Sequence, residues 1–181
     1  MKTNLVLLGL TLVLSGGAVR AQETQARQFV DAEPVDALTV MVGRSVPVQF
    51  TFHIKPGYHI NSRVPTTPEL IPTQLTFSPP EDLVIARIKY PAGVLTSFPF
   101  DPTEKLSVYS GDITIKGVVL TQPKSLAGRY TVHAELKYQA CDNNACYPPK
   151  RLPVAFDVKI TRGASKIRKA RPNAQSPHIH N

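Results

Sequence analysis

The chain's two cysteines, Cys141 and Cys146, lie in one short segment, Tyr138-Gln139-Ala140-Cys141-Asp142-Asn143-Asn144-Ala145-Cys146-Tyr147-Pro148-Pro149. A pair this close can form a disulfide, and a disulfide serves either as a covalent staple or as a couple that exchanges with other thiols. As a staple it would contribute little. Closing a loop of about six residues removes only ~2 kcal/mol of unfolded-state entropy, and a chain of 181 residues buries enough core to do without it. The spacing alone leaves both readings open. A zinc site would need more ligands than this pair supplies, and His178 and His180 are remote in sequence. No nucleophile elbow, metal-ligand cluster or paired-acid site is present, which argues against a hydrolase.

The elements that must position the pair read as strands. Tyr130, Val132, Ala134, Leu136 and Tyr138 alternate with polar residues before it, and Val154, Phe156, Val158 and Ile160 alternate after it. Period two marks a sheet with one buried face. The cysteines therefore fall at the tip of a hairpin, where Asp142-Asn143-Asn144 is turn chemistry. Val46, Val48, Phe50, Phe52 and Ile54 form another alternating strand, whose Pro47 pushes its beginning toward a sheet edge. Leu70–Phe77, Leu83–Tyr90 and Ile113–Leu120 are further strand candidates. Seventeen prolines oppose long helices, and no amphipathic helix is evident. The expected fold is all-β, with two packed antiparallel sheets. Two long irregular stretches remain, Gly57–Glu69 and Pro91–Lys105, and long loops in compact domains tend to carry function.

The ends set the compartment. Lys2 precedes an apolar run from Leu5 to Leu14, and small residues follow up to Ala21. This is the order of a signal peptide, with cleavage expected after Ala21. The run is too short to cross a bilayer comfortably. Export to the periplasm or beyond is the expectation, with no stable membrane insertion after cleavage. Such compartments permit disulfides. The net charge of +8 is uneven: Arg162, Lys166, Arg168, Lys169 and Arg171 crowd the last 20 residues with no acid among them. That tail lacks aromatics and any recognisable module, so no nucleic-acid role is expected. The organisation read from sequence is a signal peptide over 1–21, a flexible lead-in over 22–37, one β-sandwich domain over 38–161 and a basic disordered tail over 162–181.

The cysteine segment resembles the active-site hairpin of the N-terminal periplasmic domain of the thiol:disulfide interchange protein DsbD. Two further stretches are similar to that family: Lys55-Pro56-Gly57-Tyr58-His59-Ile60-Asn61-Ser62 with Ile71-Pro72-Thr73, and Tyr90-Pro91 through Leu106-Ser107-Val108-Tyr109-Ser110-Gly111. The resemblance implies an immunoglobulin-like sandwich with a redox-active cysteine pair. It implies electron transfer from a membrane electron carrier to thioredoxin-like periplasmic proteins, by a monomer that uses no cofactor and no metal. In the family's pattern Cys146 attacks the oxidised partner and Cys141 resolves the mixed disulfide. The loop between the cysteines is one residue shorter than in the best-known members.

The resemblance also nominates the surroundings. A cap loop in the family shields the disulfide with an aromatic ring; the matching stretch is Ser97-Phe98-Pro99-Phe100-Asp101, and the spacing does not choose between Phe98 and Phe100. His59 and Asn61 match positions that face the cysteines, with Tyr58 beside them. His59 would stabilise a thiolate or relay a proton; against proton transfer, a residue following a Pro-Gly turn reads rather as a surface histidine. Tyr138 and Tyr147 bracket the hairpin as candidate docking surface. The rival class is a secreted binding or scaffolding sandwich whose disulfide is structural.

Overall fold

A computed structural model of the chain describes residues 27–99 and 101–163. In chain order the strands are β1 (Val30–Ala32), β2 (Leu38–Met41), β3 (Ser45–Ile54), β4 (His59–Asn61), β5 (Gln74–Ser78), β6 (Leu83–Lys89), β7 (Val94–Phe98), β8 (Asp101–Tyr109), β9 (Asp112–Thr121), β10 (Gly128–Tyr138), β11 (Ala140–Cys141) and β12 (Lys150–Thr161). Among the described residues there is no helix, hence none long and apolar enough to cross a membrane.

Two four-stranded sheets, β1-β3-β9-β6 and β2-β12-β10-β5, make an immunoglobulin-like β-sandwich. Their inner faces are the alternating residues of the longest strands. Val48, Phe50, Phe52 and Ile54 of β3 and Ile113, Ile115 and Val119 of β9 face Val132, Ala134, Leu136, Val154, Phe156, Val158 and Ile160 of β10 and β12. Phe50 spans the gap, with its ring centroid 5.3 Å from Phe77 and 5.4 Å from Phe156. Pro47 sits where β3 has β9 on one side only, because β1 covers just Phe52–Ile54; the missing N–H breaks no ladder bond there.

A third sheet, β11-β4-β8-β7, lies where β10 and β12 part. Their antiparallel register runs unbroken from Gly128↔Ile160 to Tyr138↔Lys150, so residues 139–149 project beyond it as the hairpin's tip.

Three expectations need correction. Pro91–Lys105 is not irregular: β7 and β8 form a hairpin there, with Leu95↔Ser107 and Thr96↔Leu106 in register. The stretch after Gly57 contains β4, all three residues of which are buried. The lead-in expected over 22–37 carries β1, and Phe29 and Val30 are buried in the core; two adjacent large apolar groups gain more by burial than by staying loose. The segment read as a signal peptide and residues 164–181 of the expected basic tail lie outside the described residues.

Away from the cysteines, His53 holds β1, β3 and β9 together. Its Nδ1 lies 2.7 Å from Asp112 and its Nε2 3.0 Å from Glu33. The Asp112 hydrogen bond, and with it the charges of both acids, raises the His53 pKa above its ordinary value. A raised folded-state pKa gives stability that is full below the unfolded pKa of ~6.5 and is lost as pH rises through the folded one. His53→Gln should therefore lower the thermal midpoint most near about pH 6, with the difference from wild type shrinking toward about pH 8.5. A difference that does not depend on pH would show that the two ion pairs contribute nothing.

Candidate functional site

The local sequence sets the entry into β4. Tyr58 N–H donates to the Lys55 carbonyl at 3.1 Å, closing a turn with Pro56 and Gly57 at its centre. Proline suits the first central position, and Gly57, at φ 83°, supplies the left-handed conformation required at the second. His59 follows immediately and is buried, with 5% exposure. The reading of it as a surface histidine is thus wrong: the turn returns the chain into a sheet instead of leaving it in solvent.

In that sheet His59 stands opposite Cys141, and Ile60 opposite Ala140. Cys141 in turn stands opposite Cys146 across an antiparallel bridge. The ladder bonds flank this last pair: Asp142 N–H donates to Ala145 O at 2.9 Å, and Tyr147 N–H to Ala140 O at 2.8 Å. The cysteines are therefore a non-hydrogen-bonded pair, the kind whose Cα atoms come closest. Their Cα atoms are 3.9 Å apart and their sulfurs are bonded. Directly opposed residues project to one face, so His59, Cys141 and Cys146 share a face of the small sheet. Their exposure differs sharply: Cys141 is 1% exposed, whereas Cys146 is an exposed residue.

Asp142 shapes the loop between the cysteines. Its Oδ1 accepts the N–H groups of Asn144 at 2.7 Å and Ala145 at 2.9 Å, and its Oδ2 accepts the Tyr147 hydroxyl at 2.7 Å. The Tyr147 hydrogen bond, then the two backbone donors, hold the Asp142 carboxyl below its usual pKa. The same bond pushes the Tyr147 phenol up. Gln139 ties this loop to β4, accepting from Asn61 Nδ2 at 3.3 Å and donating to the Tyr147 carbonyl at 3.2 Å.

The Phe98 ring stacks on the His59 ring, with centroids 3.9 Å apart and planes 16° from parallel. Phe98 also packs with Leu70, Leu106 and Val108 in a small cluster of its own. Of the two cap candidates, Phe98 is thus placed on the histidine beside the disulfide; Phe100 lies outside the described residues. Asn61 is buried and donates to the Ile71 carbonyl at 3.0 Å. His59 Nε2 and Asn61 Oδ1 are buried with no hydrogen-bond partner among the described residues. Burial lowers the His59 pKa below its ordinary value, and the Asp142 charge opposes that shift in part.

The tyrosines divide. Tyr138 is 1% exposed: its position continues the inward set of β10, and it also lines the groove beside the tip. Tyr147 and Tyr58 are half-buried and pack around Phe29, with centroids 4.6 and 4.8 Å from its ring. Phe29, Tyr147, Pro148, Pro149 and Leu152 line a groove of about 660 Å³ beside the tip. Phe29, Gln139 and Asp142 were not singled out from sequence as site residues. Asp142 was visible only as a turn former, and Phe29 lies in a segment without periodicity.

The sequence profile of the family described as "Thiol:disulfide interchange protein DsbD, N-terminal" matches residues 26–157. Among solved structures, the N-terminal domain of DsbD from Neisseria meningitidis in the reduced form is 19% identical, with a TM-score of 0.40 over 65% of this chain and 80% of that one. A family 123 glycoside hydrolase from Clostridium perfringens is 9% identical, with a TM-score of 0.41 over 75% of this chain and 28% of that one. The seventh ScaB type I cohesin from Pseudobacteroides cellulosolvens is 12% identical, with a TM-score of 0.46 over 84% of this chain and 99% of that one. No curated protein sequence matches significantly. The profile match runs from β1 into β12 and includes the whole cysteine loop, and by it the chain belongs to the family of DsbD N-terminal domains.

Proposed function

We propose that the chain performs thiol–disulfide exchange through Cys141 and Cys146 in the periplasm, taking electrons from a membrane electron carrier and passing them to thioredoxin-like proteins. A DsbD N-terminal fold that carries a disulfide is consistent with a redox role. The observation that carries the finer reading is the unequal exposure of the pair. Cys141 is buried and Cys146 is exposed at a turn, the asymmetry that an attacking and a resolving sulfur require. In the forward direction the Cys146 thiolate attacks one sulfur of the partner's disulfide, and the other partner sulfur leaves as a thiolate. The Cys141 sulfur then attacks Cys146, and the remaining partner sulfur leaves. The protein's dithiol is oxidised by two electrons and the partner's disulfide is reduced. Phe98 would act as the cap, and the groove beside Tyr147 as part of the docking face, for a monomeric shuttle.

The test mixes each reduced single variant with an oxidised thioredoxin-like protein and quantifies the covalent adduct on a non-reducing gel. Cys141→Ser keeps the attacker and removes the resolver, so the adduct should accumulate; Cys146→Ser should trap far less. Absence of adduct from both variants, with a wild-type potential below about −300 mV, would assign the disulfide to a structural role in a binding sandwich.

A further inference from the structure

His59 Nε2 is a buried polar atom with no partner among the described residues, and an orphan of this kind is destabilising. The register sets His59 directly opposite Cys141 on one face of the small sheet, where opposed β-carbons are about 4.5–5.5 Å apart. In the disulfide form the Cys141 sulfur carries no proton. In the dithiol form it carries one, on the residue directly opposite the unsatisfied imidazole in the sheet. We propose that His59 is the proton acceptor for the Cys141 thiol, so that the orphaned nitrogen of the oxidised protein is the base of the reduced one. The inference rests on the exchange reading above and adds a named group to its second step.

The step balances as follows. After Cys146 has formed the mixed disulfide, the Cys141 thiol gives its proton to His59 Nε2. The Cys141 sulfur attacks Cys146, the Cys141–Cys146 bond forms, and the bond from Cys146 to the partner breaks with the electron pair leaving on the partner's sulfur. The His59 imidazolium then returns its proton to that thiolate. Two features of the site suit this role. Phe98 stacked on the ring fixes its plane and keeps bulk water from competing for the nitrogen. Burial keeps the imidazole neutral, and so able to accept, while the Asp142 carboxylate favours the imidazolium that forms. Among the described residues, Asp142 on the cysteine loop is the charged group that acts on His59; Cys141 and Phe98 face it from β11 and β7.

The experiment compares wild type with His59→Gln, which keeps a hydrogen-bonding group but takes no proton. Rapid mixing with an oxidised thioredoxin-like protein separates formation of the mixed disulfide from its resolution. Resolution should slow by about tenfold or more in the variant, while formation through Cys146 stays unchanged. The wild-type resolution rate should follow an ionisation that the variant lacks. A folded variant that resolves at the wild-type rate, or one slowed equally in both steps, overturns the proposal. If wild type itself forms no mixed disulfide, the exchange reading falls and this inference with it. A measurement without substitution covers failure of the variant to fold: the ¹⁵N shift of His59 Nε2 in wild type should change on reduction of the disulfide, and an unchanged shift overturns the proposal.

Discussion

Phe98→Ala is expected to speed reduction of the Cys141–Cys146 disulfide by a small monothiol roughly thirtyfold. The closed site loses two things when the ring is removed. Its stack on His59 is worth about 1 kcal/mol beyond area, and about as much again comes from the part of its apolar surface buried against Leu70, Leu106 and Val108 that opening would expose. A closed state weaker by about 2 kcal/mol is open roughly thirty times as often. The position of attack should change as well. Cys141 is the sheltered sulfur and Cys146 the exposed residue, so mass spectrometry of the trapped monothiol adduct should find the Cys141 share rising in the variant. Unchanged kinetics and an unchanged share in a folded Phe98→Ala protein would show that the ring packs without shielding.

Phe50→Ala should cost about 3–5 kcal/mol, the usual range for deleting a buried phenylalanine. In a domain of this size that lowers the thermal midpoint by roughly 10 °C. The ring is 1% exposed, and its contacts with Phe77 and Phe156 join one main sheet to the other, so the cavity cannot close by the shift of one strand. It lies away from the cysteines, so at a temperature where the variant remains folded, monothiol reduction of the disulfide should proceed at the wild-type rate. Thermal unfolding followed by circular dichroism gives the first value. A loss below about 1 kcal/mol would mean that the sheets repack around the site.

The strands that were legible in the sequence are those with one buried and one wet face. In β3, β9, β10 and β12 burial alternates residue by residue, so their periodicity is written in the residue types. The small sheet was illegible for the opposite reason. All three residues of β4 are buried, and Val94 and Leu95 of β7 are both exposed, so neither strand alternates. β1 is three residues long and is held by the core positions of Phe29 and Val30. The cysteines were legible as a pair and as a hairpin tip. Their neighbourhood was not, because it is made by register between distant segments: His59 meets Cys141 across a pairing of strands 82 residues apart in sequence, and local spacing carries no trace of that.

The unbroken register of β10 with β12 has a consequence for how the chain reaches this state. Contacts between those strands are close in sequence, whereas β3 with β9 and β4 with β11 join more distant segments. Loop closure favours the nearer pairing, and a hairpin zips in microseconds. As it zips outward from Tyr138 and Lys150, its shortest pairing, it keeps the two sulfurs close to each other. Their meeting is thus templated by secondary structure formed early, and with two cysteines in the whole chain no mispaired intramolecular disulfide is available. Catching the sulfurs with an oxidant needs the hairpin alone; covering them needs β4 and β7 from farther up the chain, so a folding molecule passes through a stage in which the pair is formed but not yet sheltered.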